Sequence, residues 1–150
     1  GWRGLFGGIL KNTVLKFEDH GVHPKNIYVA IGPAIGPCCF EVNTTTYELF
    51  GKEPENRPFL YSTQAPQFGN TIKRAKPTTN DLWVDLAGIS RAQLIEKGIP
   101  IENIDLLRIC TYCSSEKFAS FRRSTHDGTK AGRQWSSMSN LKISDPGHSR

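Results

Sequence analysis

The chain opens on Gly1-Trp2-Arg3-Gly4-Leu5-Phe6-Gly7-Gly8, four glycines around one cation and two aromatic rings. A glycine-rich turn that runs into a helix presents N–H groups with no carbonyl partner, and that end of the helix carries about half a positive charge. Arg3 adds a fork of donors shaped for phosphate or carboxylate. The stretch therefore has the outline of an anion site centred on Arg3 and Gly4, without a Walker or dinucleotide fingerprint. The same residues also suit a plain packing role, in which the glycines let a second backbone approach and Arg3 caps a carbonyl. Cys110 and Cys113 have the C-x-x-C spacing of half a zinc site, and Cys38 and Cys39 are adjacent. Adjacent cysteines converge poorly on one tetrahedral ion, so the expectation is four buried, reduced thiols with no metal ligand among them. His126 and Asp127 offer either acid–base chemistry or a simple turn. His20 and His23 flank a helix end, where a basic side chain complements the dipole.

These residues need elements to hold them. Leu5, Ile9, Leu10, Val14 and Phe17 recur at helical spacing with Gly21 beyond them, which predicts one amphipathic helix over 4–19. Residues 27–31 read as a short buried strand, and Gly32-Pro33 and Gly36-Pro37 stiffen the loop that follows. Asn43 can cap a helix through Phe50. Residues 51–80, with four of the nine prolines and no clear period, read as a surface excursion. Leu86, Ile89, Leu94 and Ile95 with Gly98 as the stop predict a helix over 86–97, and 104–110 reads as a strand. Aromatic alternation over 117–123 predicts a β-hairpin with 131–141, displaying Arg122 and Arg123. The tail from Ser144 is polar and expected to fray.

At 150 residues and 37% hydrophobic, the chain can enclose one core, so it is read as one domain or part of one. Eight of the nineteen Lys and Arg residues but only three of the fourteen Asp and Glu residues lie after residue 107. The net charge of +5 thus belongs to the C-terminal segment, where an anion could be handled or a face simply solvated. The apolar runs fall short of the roughly 18 residues a membrane span requires, and the N-terminus lacks the layout of a secretory signal. The cysteine pattern is a poor disulfide framework, which predicts a reducing, cytoplasmic compartment. A basic hairpin with Phe118, Phe121 and Trp135 would also grip single-stranded nucleic acid by stacking and charge.

Taken in order, Gly-Trp-Arg-Gly at 1–4, the Ala30–Val42 stretch "AIGPAIGPCCFEV", "DLWVDLAGISRAQLIEKGIPIENI", "CTYCSSEKFASFRR" and "GTKAGRQWS" resemble the polyphenol oxidase (laccase-domain) family of the bacterial YfiH type, whose members are also described as purine nucleoside phosphorylases. The resemblance covers residues 1–142, with 51–80 as a variable surface insertion and 143–150 as a polar tail. It implies an α/β (α+β) fold, a mixed β-sandwich with helices on both faces. It implies phosphorolysis of adenosine, inosine and methylthioadenosine, and deamination of adenosine. Purine nucleosides and phosphate are then the expected partners, with neither a membrane nor nucleic acid among them. The implied cofactor is zinc, held by two histidines and a cysteine that precede Gly1; copper is not expected. On that reading this is the C-terminal portion of a longer enzyme, its partner is its own N-terminal segment, and alone it is inactive. The residues expected to bind phosphate or substrate are Arg3, Gly4, Arg122 and Arg123, and no residue of this chain is expected to ligate metal. A non-catalytic relative is the alternative.

Overall fold

The helix expected over residues 4–19 is two helices. In the computed structural model, which describes residues 1–69, 81–130 and 132–138, α1 runs Trp2–Phe6 and α2 runs Ile9–Asp19. Gly8 separates them at φ 78°, a left-handed conformation that glycine adopts without a Cβ penalty. The break also splits the expected apolar stripe. Leu5 and Val14 are buried, while Ile9 and Phe17 stand 56% and 45% exposed.

Two small sheets follow. β1 (Val29–Ile31) pairs in parallel with β4 (Ile104–Leu106), in the register Val29 to Ile104 and Ile31 to Leu106. β2 (Leu60–Ser62) pairs antiparallel with β3 (Leu82–Val84). The 40–42 segment also bonds to β3: the Val42 N–H donates to the Leu82 carbonyl at 2.8 Å, and the Val84 N–H to Phe40 at 3.2 Å. The fold is therefore α+β with mixed strand pairing, as expected.

The helices start where a side chain can take their orphan N–H groups. Asn43 Oδ1 accepts from the Thr46 N–H at 2.8 Å and opens α3 (Thr44–Gly51), as predicted. Asp85 Oδ1 accepts from the Gly88 N–H at 3.0 Å and opens α4 (Leu86–Glu96). α4 ties the two halves together. Its Ile89 packs with Phe50, Val84 and Phe40, and its Leu94 packs with Val14, Ile99 and Ile104 beneath the parallel pair.

Two expectations are corrected. No hairpin forms at 117–123: Phe121–Asp127 is a helix, α5, and 132–138 has no regular structure, the rest of the expected partner strand lying outside the described residues. Ser120 Oγ accepts from the Arg123 N–H at 3.3 Å at its start, and Gly128 closes it at φ 67°. Nor is the 51–80 stretch only a surface excursion. Its described part contains a 3-10 turn over Pro54–Phe59, strand β2 and the fully buried Phe68. No described helix is long and apolar enough to cross a membrane.

Candidate active-site cleft and cysteine cluster

Beyond Ile31 and Leu106 the two parallel strands stop but their chains stay laced. The Leu107 N–H donates to Ile31, the Ala34 N–H to Ile109, and the Thr111 N–H back to Ala34 at 3.0 Å. That lacing carries the Gly-Pro loop alongside the C-x-x-C turn. All four cysteines meet there, buried, with their sulfur atoms within 4.8 Å of one another and Cys39 Sγ 3.6 Å from Cys113 Sγ. The expectation that the two pairs do not converge is thus corrected, while their burial as thiols rather than disulfides stands. The Gly36 N–H donates to Cys110 Sγ at 3.3 Å. Hydrogen bonds from Cys38, then Cys39, hold the Cys110 thiol well below its ordinary range, with Gly36 adding to the effect. The same contacts, led by Cys110, push Cys39 up.

Gly36 makes the convergence possible. A Cβ there would lie 2.5 Å from a Phe68 ring carbon and 3.2 Å from Cys38 Sγ. Phe68, Ala87 and Tyr112 seal the cluster from the sides.

On the other side of the Cys38–Val42 segment lies an open cleft of about 490 Å³, lined by Trp2, Phe40, Glu41, Val42, Asn43, Thr46, Arg122, Thr125 and His126. Arg122 spans it: its Nη1 donates to the Glu41 carbonyl at 3.0 Å, and its guanidinium lies 5.5 Å from the centre of the Phe40 ring. His126 sits one turn on, with Nδ1 3.2 Å from the Tyr112 hydroxyl and its ring edge-on to that tyrosine. Burial raises the Tyr112 hydroxyl above its ordinary value, helped by Asp127.

The four anion-binding candidates separate in space. Arg3 is exposed, its guanidinium 4.8 Å from the centre of the Trp2 ring, and Gly4 is exposed beside it on α1. Arg122 lines the cleft. Arg123 faces the other way, donating through Nη1 to the carbonyls of Thr111 at 2.6 Å and Tyr112 at 2.9 Å, and through Nη2 to Phe118. Trp2, Phe40 and Asn43 line the cleft, and Tyr112 stands behind His126; the sequence reading gave none of them a role at the site. Their signal was adjacency: Trp2 precedes Arg3, and Phe40 and Asn43 follow the Gly-Pro loop.

An α+β chain with such a cleft, and with these motifs at its walls, belongs to a definite family. The family model for multi-copper polyphenol oxidoreductase laccase matches residues 1–140, and the chain belongs to that family. It is 33% identical over 134 residues to a purine nucleoside phosphorylase of Bacteroides thetaiotaomicron, covering 89% of this chain and 44% of that protein. It is 31% identical to the purine nucleoside phosphorylase YfiH of Escherichia coli, covering 90% and 48%. Among solved structures it is similar to YlmD from Geobacillus stearothermophilus (33% identity, TM-score 0.64, 87% of this chain and 44% of that one) and to a YfiH from Bacillus licheniformis described as hypothetical (26% identity, TM-score 0.69, 83% and 43%). The chain thus spans a little under half the length of the relatives it matches.

Proposed function

We propose that this chain serves a purine nucleoside phosphorylase, and that the cleft between Trp2, Phe40, Arg122 and His126 receives its nucleoside and phosphate. One observation carries the reading: Trp2 and the sequence stretches 40–46 and 122–126, far apart in the chain, meet at this one opening. Its size is that of a small-ligand site. Trp2 and Phe40 offer rings for a purine to stack on. Arg122, with Arg3 and Gly4 outside it, offers charge for phosphate, and Asn43, Thr46 and Thr125 offer short polar groups for a ribose. In phosphorolysis a phosphate oxygen bonds to ribose C1′ as the C1′–N bond breaks, and the base leaves with the electron pair and takes up a proton. Positive charge grows on the ribose as this happens, so holding phosphate against C1′ is most of the catalysis. Arg122 would do that holding. Arg123, behind it, would keep the wall in place.

The catalytic zinc implied by the resemblance does not fit the cleft residues of this chain. Such an ion takes three protein donors, and among the described residues His126 is the one imidazole at the cleft, already against Tyr112. A multi-copper centre has no better donor set, because the one group of three or more His, Cys, Asp and Glu side chains among the described residues is the cysteine cluster. We therefore assign the catalytic metal, and with it any adenosine deamination, to the remaining half of a phosphorylase chain. The apolar groove of about 230 Å³ along Leu5, Ile9, Leu10, Ile31 and Leu86 is the face for that half to cover. Residues 1–142 would then be one portion of a single domain, working in a reducing compartment that keeps its thiols reduced.

The test is release of adenine or hypoxanthine from nucleoside and phosphate by the full-length protein. Arg122→Ala should raise the KM for phosphate about tenfold or more, the equivalent of one charge-assisted bond. An unchanged KM for phosphate would overturn the assignment of the cleft.

A further inference from the structure

We propose that Cys38, Cys39, Cys110 and Cys113 bind one zinc ion as a tetrathiolate, a structural site separate from the cleft that clamps the Gly-Pro loop to the C-x-x-C turn. A tetrahedron with Zn–S bonds of about 2.3 Å has edges of about 3.8 Å. The cluster is close to that already: its Cys39–Cys113 edge is 3.6 Å, and every edge is within 4.8 Å. There is room at the centre for one ion and none for a polynuclear iron–sulfur core. Four sulfur donors within the span of one ion favour zinc, and all four being protein-supplied leaves no open position, which marks a structural ion rather than a catalytic one.

The surroundings suit bound thiolates. Four thiols that take up zinc release their protons and leave a site with a net charge of −2, which a dry core does not tolerate without donors nearby. The Gly36 N–H already points at Cys110 Sγ. The Arg123 guanidinium is fixed on the carbonyls of Thr111 and Tyr112, inside the C-x-x-C turn itself, where it brings a permanent positive charge and sets the spread of the two sulfurs. The ladder from Ile31 to Thr111 holds the other pair in place before any ion arrives.

The experiment is metal analysis of the full-length protein, purified from zinc-replete cells, against a Cys39→Ser, Cys113→Ser double variant. The parent should carry one zinc equivalent more per chain than the variant. Equal zinc in the two overturns the proposal, as does copper(I) in place of zinc at these sulfurs. If the variant does not fold, the parent alone decides. Titration with an organomercurial should release that zinc equivalent, read by a chromophoric chelator, in step with modification of four thiols. Cobalt substitution should give the intense sulfur-to-cobalt charge transfer of four thiolate ligands. Zinc release uncoupled from thiol modification, or a Cys39–Cys113 disulfide seen as a loss of two mass units in metal-free native protein, overturns it. None of these readings depends on phosphorylase activity, so the two proposals fail separately.

Discussion

Arg123 turns its guanidinium inward onto the carbonyls of Thr111, Tyr112 and Phe118, whereas Arg122, one residue before it on α5, reaches across the cleft to the carbonyl of Glu41. They stand for two regions built on opposite terms. Around the cysteine cluster the sulfurs are buried, the groups packed on them are buried or half-buried, and their partners come from within the chain. At the cleft the aromatic and cationic groups face an opening, and the neighbouring α1–α2 surface leaves Phe6, Ile9 and Phe17 about half exposed. Adjacent positions with the same charge therefore carry different burdens, and neither composition nor spacing distinguishes them. The inner region should govern stability and the outer one should govern turnover.

The strongest way to break that division is Arg123→Ala. Hydrogen bonds to a charged donor contribute about 1.5–3 kcal/mol each, though not additively, and three carbonyls lose their partner here. We expect about 3 kcal/mol or more lost in denaturant unfolding. Arg123→Lys should not restore it, because a point charge cannot reach three carbonyls as a planar fork does. A loss below about 1 kcal/mol would place Arg123 with the cleft instead. Gly36→Ala comes next. Its methyl would strike the Phe68 ring and crowd Cys38 Sγ, an overpacking that costs about 1–3 kcal/mol by the same measurement.

The sequence made some of this visible and hid the rest for physical reasons. Helices α3 and α4 were legible because their signals are local: Asn43 stands before Phe50, and Leu86, Ile89 and Leu94 run up to the stop at Gly98. α5 was misread as a strand because Phe118 and Phe121 alternate with small residues. The start signal at Ser120 and the stop at Gly128 were equally present, and they prevailed. The single helix expected over 4–19 failed at Gly8, where a flexible residue took the left-handed conformation that a stripe of apolar side chains does not reveal. The cysteine cluster was out of reach of any local rule. Cys39 and Cys113 lie 74 residues apart, and only the parallel register of β1 with β4 brings them together. The cleft was half legible: Arg122 and His126 were noticed, but Trp2 and Phe40 were quoted only within their motifs and given no site role of their own.

A smaller effect tests the boundary between the regions at Asp85, which is buried at the start of α4. Losing its cap in Asp85→Ala should cost about 1 kcal/mol, and Asp85→Asn should restore most of that, since an amide oxygen still accepts from the Gly88 N–H. Burial raises the Asp85 carboxyl above its ordinary value, against the opposing pull of Gly88 and Arg108. The fold therefore favours the protonated form. Its contribution is complete below the unfolded value of about 4 and is lost as pH rises through the raised one. The difference in stability between parent and Asn variant should move in the variant's favour across that interval. A pH-independent difference would show that the carboxyl titrates alike in both states.

The smallest expected change in stability belongs to Arg3→Ala, and it isolates the outer region most cleanly. Arg3 is exposed, its side-chain contact is the Trp2 ring at 4.8 Å, and its carbonyl's bond to the Gly7 N–H belongs to the backbone and survives truncation. Exposed substitutions of this kind usually stay within about 0.5 kcal/mol, so the Tm should move by no more than about 2 °C. Turnover should behave differently if Arg3 supplies charge to phosphate beside Arg122. Losing one such bond in the full-length enzyme should lower phosphorolysis about tenfold or more. The paired measurement is Tm and kcat/KM for phosphate on one preparation. Loss of stability with normal turnover would make Arg3 a packing residue, as its glycine-rich setting also permits. Loss of turnover at constant Tm would set it with Arg122, against Arg123, on the working side of the molecule.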